Sequence, residues 1–354
     1  MKPTKKVDFL IVGQGIAGSV LAHRLISAGQ RVFVIDRNKK STSSRIAAGM
    51  INPVTGRKYV KSWMIEPLLE EAKKYYMCFE EEFNVEVMKE IEILRILKDD
   101  LEEERWLLRS GDHGYDQFLS EDQNQEGVAE VFNKELPHGM VQGGMQIHFP
   151  KLMEKVRGLL LPIDAYLDEE FDFQTLEVND ANCQYRHIET SHIVFCEGIR
   201  MKQNPFFQNL PMFVNKGEIL KLRSDDYPTD VVAKRKHFTI PLEDGDIWFG
   251  ALNSWVDEEE LPSEAARITL EKELKDHYKI DFQIVDHLSA FRPAVKDRRP
   301  LLGTHPEHKR IHLFNGLGTK GASLAPYFSK VMVAYLLDGK ELPQEVSIQR
   351  FERP

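Results

Sequence analysis

The chain has 354 residues, 42% hydrophobic and 10% aromatic, with a formal net charge of −9. That length accommodates two domains, or one large domain with an insertion, and the acidic balance argues against a general nucleic-acid surface. The three cysteines, Cys78, Cys183 and Cys196, form no C-x-x-C pair, which excludes a redox dithiol, a disulfide framework and a zinc site.

A first strand beginning by Val7 leaves no room for a signal peptide, and no apolar run reaches membrane-spanning length. The expected location is therefore the cytoplasm, with no membrane partner. Val7–Val12 reads as a buried strand, and Gly13-Gln14-Gly15-Ile16-Ala17-Gly18 fills a G-x-G-x-x-G pattern. Ile16, Ala17, Val20, Leu21, Leu25 and Ile26 recur at helical spacing up to Gly29. Arg31–Ile35 is a second apolar strand, and it ends in Asp36.

Together these pieces predict a βαβ dinucleotide site of about 30 residues. Gly13 permits the turn, Gly15 lets backbone approach a pyrophosphate, and Gly18 lets the helix lie close to the sheet. The helix N-terminus offers N–H groups to phosphate. Asp36 can accept from a ribose diol and disfavours a 2′-phosphate, hence NADP.

Beyond Asp36 lies a polar, basic loop, Arg37–Arg45, and then a small-residue run including Ser43, Ser44, Ala47, Ala48 and Gly49. It suits either a backbone that approaches a flat or phosphorylated ligand, or a flexible surface loop. Glu66–Phe83 reads as a helix, Val87–Leu97 as a strand, Asp99–Ser110 as a helix, and Glu121–Glu135 as exposed connection. Gly143-Gly144 leads to an amphipathic helix, Lys151–Leu161, with Pro150 in its first turn. His148 is either a base or a structural residue at that junction.

His192–Cys196 is a buried strand that ends at Glu197-Gly198. Val214–Arg223, His237–Leu242 and Asp246–Ala251 predict an antiparallel sheet, and Ser263–His277 a helix. Ile311–Phe314 feeds a second glycine-rich turn, Asn315–Gly321, followed by a helix that runs to Gly339. This turn also suits a negative or hydrogen-bond-accepting group.

These features predict an α/β fold: a Rossmann-like FAD/NAD(P)-binding domain carrying an inserted α+β substrate domain with an antiparallel sheet. The expected division is 1–60, 143–205 and 290–354 for the first, and 61–142 and 206–289 for the second.

Several of these stretches together resemble the D-amino-acid-oxidase-like superfamily of FAD-dependent oxidoreductases, which includes glycine and sarcosine oxidases. They are the N-terminal fingerprint, Ser43-Ser44…Ala48-Gly49-Met50, Gly143-Gly144, Phe291-Arg292-Pro293…Asp297…Pro300-Leu301-Leu302-Gly303, and Gly316-Leu317-Gly318-Thr319-Lys320-Gly321. That last motif is most similar to the oxidase domain of the bifunctional enzyme that finishes 5-methylaminomethyl groups on tRNA wobble uridine.

The resemblance implies non-covalent FAD. No cysteine follows Ile311 to supply the flavin link of monomeric sarcosine oxidases. It places ADP at Gly13, Gly15, Ile16, Ala17, Gly18, Asp36 and Arg37. It places the pyrophosphate and flavin at Ser43, Ser44, Ala48, Gly49, Met50 and Gly198. Gly316, Gly318, Thr319, Lys320 and Gly321 would face the flavin, where Lys320 stabilises negative charge on the reduced ring; the alternative for Lys320 is an exposed loop lysine.

Arg292 would hold a substrate carboxylate with its planar fork, or would pair with a local acid such as Asp297. Arg292 and Lys320 are the candidate catalytic residues, and no metal site is expected. The implied activity is oxidation of a C–N bond in a carboxylated amine or amino acid, with O2 as a candidate electron acceptor. Two alternatives stand: a tRNA-modifying oxidase, with Arg57, Lys58, Lys61, Lys234, Arg235 and Lys236 as a basic groove, and a non-catalytic flavin-binding protein. An NAD-dependent dehydrogenase is disfavoured by the Phe-Arg-Pro block and the second glycine turn.

Overall fold

The computed structural model describes residues 4–120, 131–133, 136–255 and 260–351. Two sheets share the structure. The eight-stranded sheet begins with Lys5–Val12, whose continuous burial over Phe9–Val12 marks a strand covered on both faces there. Val32–Ile35 lies parallel on one side and Ile188–Phe195 parallel on the other. Tyr166–Leu167 extends one edge, and Ile311–Asn315 continues the parallel set beyond Ile188–Phe195.

Helix α1, Ile16–Ser27, packs its Val20, Leu21 and Leu25 into the core. A Cβ at Gly18 would stand 1.9 Å from the Gly13 carbonyl oxygen, so only glycine permits this approach of helix to strand. The short α2, Ser43–Ile46, and the long α3, Ile65–Phe83, follow, with α3 presenting Leu68, Ala72, Tyr76 and Phe79 inward. The later helices are α4, Asp100–Ser110, α5, Phe149–Leu160, α6, Glu264–His277, and α7, Gly321–Asp338. Asp99 caps α4 by accepting from Glu102 N–H at 3.0 Å, and Ser263 caps α6 by accepting from Ala266 N–H at 3.3 Å. His148 does the same for α5, accepting at Nδ1 from Lys151 N–H at 3.1 Å, so its observed work is capping.

The nine-stranded sheet is antiparallel except where Val232–Lys234 runs parallel to Met88–Ile96. One face rests on α6 through a separate core that includes Leu220, Phe249, Leu270 and Leu274. The other face looks toward the first sheet.

Three expectations change. Gly143-Gly144 lies inside a continuous strand of this second sheet, His138–Ile147, and not at a return to the nucleotide unit. The pair permits close pairing, since a Cβ at Gly144 would stand 2.9 Å from the Ile91 carbonyl oxygen. Residues 290–295 likewise complete the second sheet's Gln283–Val295 strand, hydrogen-bonded along Met212–Arg223. Finally, α3, expected in the substrate unit, docks on the nucleotide side. Arg24 pairs with Glu71 at 2.6 Å, and Tyr76 OH donates to the Ala322 carbonyl at 2.7 Å. The expected connection 121–135 lies almost entirely outside the described residues; Phe132 within it bridges to Tyr278.

Candidate active site

A cavity of about 560 Å³ runs between the two sheets. Its first end is built by the N-terminal βαβ unit. Gly13 has φ +100°, and a Cβ there would press on the Cys196 carbonyl oxygen at 2.5 Å. Gly15 borders Ser44, whose Oγ accepts from the Ile16 N–H at 3.0 Å; among the described residues no acceptor takes the hydroxyl's own proton. The residue before α1 is Gly15, which has no side chain; Ser44 takes the Ile16 N–H, and the remaining first-turn N–H groups and the helix dipole are left for a ligand.

Asp36 accepts from Gln14 N–H at 2.8 Å and from Asn38 N–H at 2.7 Å. Around it the Gln14 side chain accepts from Arg157 Nε at 2.8 Å, and Arg157 Nη1 donates to Asn38 Oδ1 at 2.7 Å. Sequence reasoning missed Gln14 as a side chain, Asn38 and Arg157. No local pattern marks Arg157, because it reaches the site from α5.

Arg37 and Arg200 share Glu170 on the same wall. Glu197 is half-buried in the cavity wall and accepts from Asn204 Nδ2 at 2.7 Å; desolvation pushes its carboxyl up to about 7. Its place at the end of the Ile188–Phe195 strand, before Gly198, was the only signal for it.

The middle of the cavity is formed by the small-residue run. Gly49 has φ +69°, and a Cβ there would lie 1.8 Å from the Ile147 carbonyl oxygen. Trp248 Nε1 donates to the Ile46 carbonyl at 2.8 Å and ties this run to the second sheet. Opposite, Gly318 N–H donates to the Pro293 carbonyl at 3.1 Å, and Asn315 Nδ2 to the Gly198 carbonyl at 2.9 Å. The turn delivers the uncapped start of α7 to the cavity, packed on α1 so tightly that a Cβ at Gly321 would meet Ile16 at 3.0 Å. Lys320 lies at that start; burial, with Arg298 and Arg299 nearby, holds its pKa below the usual lysine range.

The structure thus brings Gly13, Gly15, Ile16, Ala17, Asp36, Arg37, Ser43, Ser44, Ala48, Gly49, Met50, Gly198, Gly318, Thr319, Lys320 and Gly321 to one cavity wall. Gly18 and Gly316 stand behind it. Gly18 serves helix packing, and Gly316 serves the turn at φ +74°.

Arg292 projects from the second sheet. Its Nη1 donates to Asn215 Oδ1 at 3.0 Å and to Asn253 Oδ1, both neutral. Gly217 makes room beneath it, since a Cβ there would stand 2.4 Å from Nη2. No carboxylate pairs with Arg292 among the described residues, and burial lowers its pKa to about 10. Asp297, the rival partner, binds Arg350 at 2.8 Å.

Of the six basic residues considered for a nucleic-acid groove, Lys61 pairs with Glu66 at 2.8 Å, while Lys236 and Arg235 pair with Glu273 at 2.6 and 3.9 Å. Lys234 lines the cavity. Among the described residues, His305, Glu307 and His308 form one grouping with metal-ligand spacing, away from the cavity wall. No helix among them is long and apolar enough to cross a membrane.

Two helix starts, a strand-terminal acid and a glycine-only backbone converge on one elongated cavity, which defines a dinucleotide-dependent oxidoreductase fold. A family model described as FAD dependent oxidoreductase (DAO) matches residues 8–335, and the chain belongs to that family. Glycine oxidase of Bacillus subtilis (strain 168) is 29% identical over 162 residues, 44% of this chain and only 43% of that protein's length.

Among solved structures, glycine oxidase from Geobacillus kaustophilus superposes with a TM-score of 0.78 at 18% identity, covering 96% of each chain. Iminodiacetate oxidase from Chelativorans sp. BNC1 gives 0.76 at 20%, covering 95% of this chain and 97% of that one. L-Proline dehydrogenase from P. horikoshii gives 0.76 at 14%, covering 99% of each. At these identities the likeness is one of fold. The cofactor is FAD, and the cradle suits it: two helix N-termini without a side-chain cap from the preceding residue, an acid for a ribose, and backbone at Gly49 that excludes a Cβ.

Proposed function

We propose that the protein oxidises a C–N bond of a small amine or amino acid bearing a carboxylate. The reading rests on Arg292, a guanidinium in the cavity wall held only by two asparagines and lacking any acid among the described residues. A half-buried cation of this kind, lining the cavity, is expected to take its counter-charge from a ligand. The planar fork suits a carboxylate, and Asn215 and Asn253 fix its orientation.

FAD, when bound, supplies the two-electron acceptor. The substrate loses a hydride from the carbon beside nitrogen as the nitrogen lone pair forms a C=N bond; water then adds and cleaves the imine to a carbonyl compound and an amine. Phe238, Ile240 and Trp248 line the cavity wall and keep bulk water from the reacting atoms. Lys320 and the α7 N-terminus would hold the negative charge that develops on the cofactor's polar edge.

On the strands of the second sheet that line the cavity, and the turn that holds Lys236, the charged side chains are the cations Arg95, Lys234, Lys236 and Arg292, while the lining acids Asp36, Glu169, Glu170, Glu197 and Glu260 lie outside those strands. This cationic wall favours an amine that reacts as its free base. The ion pairing of Lys61, Arg235 and Lys236, with Lys234 inside the cavity, supports a small-molecule substrate over tRNA.

The test is anaerobic titration of the purified yellow protein with amino acids and N-methyl amino acids. Bleaching of the flavin bands by one compound supports the reading, and recovery in air identifies O2 as an acceptor. A flavin that no amine bleaches refutes it in favour of a binding role.

A further inference from the structure

The cavity holds a second group of cations whose charge the proposed chemistry does not use. Lys234 lies on the Val232–Lys234 strand, and the parallel register sets it beside Arg95 on Met88–Ile96. Both line the cavity. The Lys234 ammonium has three protons to donate, yet its one described acceptor is the Lys236 carbonyl at 2.8 Å; it otherwise rests 4.3 Å from the centre of the Phe238 ring.

Arg95 donates from Nη1 to the Arg235 carbonyl at 2.7 Å and lies over the Tyr59 ring, while its buried Nε finds no acceptor. The neighbouring acid, Glu273, is already shared by Lys236, Arg235 and His277. No carboxylate pairs with either Lys234 or Arg95 among the described residues. Burial, with Arg95 beside it, brings Lys234 down to about 7, as expected where positive charge lacks an anion.

Arg292 lies elsewhere on the same sheet. Three strands, Met212–Arg223, Ile247–Ser254 and Phe238–Pro241, separate its strand from that of Lys234. Four spacings of about 4.8 Å put the two positions roughly 19 Å apart at the backbone, from which both long side chains reach the same cavity. Phe238 and Ile240 line the wall near Lys234, and Trp248 and Ala251 lie on the intervening strand.

We propose that Lys234 and Arg95 form a second anion subsite, so that the substrate is an amine with two carboxylates, one held by Arg292 and the other by this pair across an apolar floor. The inference rests on reading the cavity as an amine-oxidising site and adds the substrate's second charge.

The test separates binding from turnover. Flavin difference spectra of the holoenzyme are titrated with straight-chain dicarboxylates from succinate to pimelate and with monocarboxylates of matched length. One dicarboxylate is expected to bind about tenfold or more tightly than its monocarboxylate partner, the scale of one charge-assisted hydrogen bond. Lys234→Met and Arg95→Gln should each remove that advantage while leaving monocarboxylate affinity and flavin content unchanged.

Equal affinity for the two ligand series would overturn the subsite. So would a Lys234→Met variant that weakens both series alike, or one that stops turnover with binding intact, which would make the lysine a base. If dicarboxylates discriminate but no amine bleaches the flavin, the subsite stands and the oxidase reading fails. If an amine bleaches it and the two series bind equally, the reverse holds.

Discussion

Arg350 Nε donates to the Asp297 carboxylate at 2.8 Å, while Arg292 pairs with two asparagines and with no acid among the described residues. Arg292→Ala should therefore weaken carboxylate ligands by roughly ten- to a hundredfold, the range for hydrogen bonds to a charged group. Flavin difference spectra give the dissociation constants. Asp297→Asn should leave those constants unchanged and loosen only the turn at Ile348–Phe351. Equal losses in the two variants would return Arg292 to a structural role.

Asp36 joins the Gln14 and Asn38 backbone amides, so it shapes the loop as well as offering an acceptor to a ribose. Asp36→Ala strands two N–H groups and removes that acceptor. FAD affinity is expected to fall about tenfold to a hundredfold, measured by fluorescence quenching on reconstitution. Arg157→Met, which strips the support of Gln14 and Asn38, should produce a smaller loss in the same assay.

What was legible in the chain was local. The strand, glycine turn and helix of residues 7–36 follow from contacts a few residues apart, and the second glycine turn at 315–321 is read the same way. Long-range pairing was not legible. Gly143-Gly144 looks like a break, yet its role depends on a partner strand more than 40 residues away in sequence. Arg157 reaches Asn38 across 119 residues, and the Arg95–Lys234 neighbourhood exists only once two distant strands choose a register. The asparagine partners of Arg292 likewise come from distant strands, Asn215 and Asn253 lying 77 and 39 residues away in sequence.

Gly49 and Gly29 have similar positive φ, 69° and 77°, and opposite surroundings. A Cβ at Gly49 would overlap the Ile147 carbonyl, whereas at Gly29 nothing lies within 4 Å. Gly29→Ala should cost about 1 kcal/mol from backbone strain alone. Gly49→Ala must also push the Gly49–Ile147 hydrogen-bonded backbone apart, so a loss of several kcal/mol and poor FAD retention are expected. Urea midpoints for the two variants make the comparison. Equal shifts would mean that the backbone around Gly49 yields easily.

Glu197 gives the pH dependence a definite sign. Burial raises its folded pKa from 4.5 to about 7, so between those values the folded protein keeps a proton that the unfolded chain has released. The contribution is fully present below pH 4.5, declines as pH rises, and is gone above about pH 7. At about 1.4 kcal/mol per unit the loss is about 3 kcal/mol. Glu197→Gln keeps an acceptor for Asn204 and cannot titrate. Its stability relative to the parent should therefore improve by that amount from pH 4.5 to pH 7, read by urea denaturation at a fixed FAD concentration. A gap that stays constant with pH would show that Glu197 is ionised in the folded protein, with its charge met by a group other than Asn204.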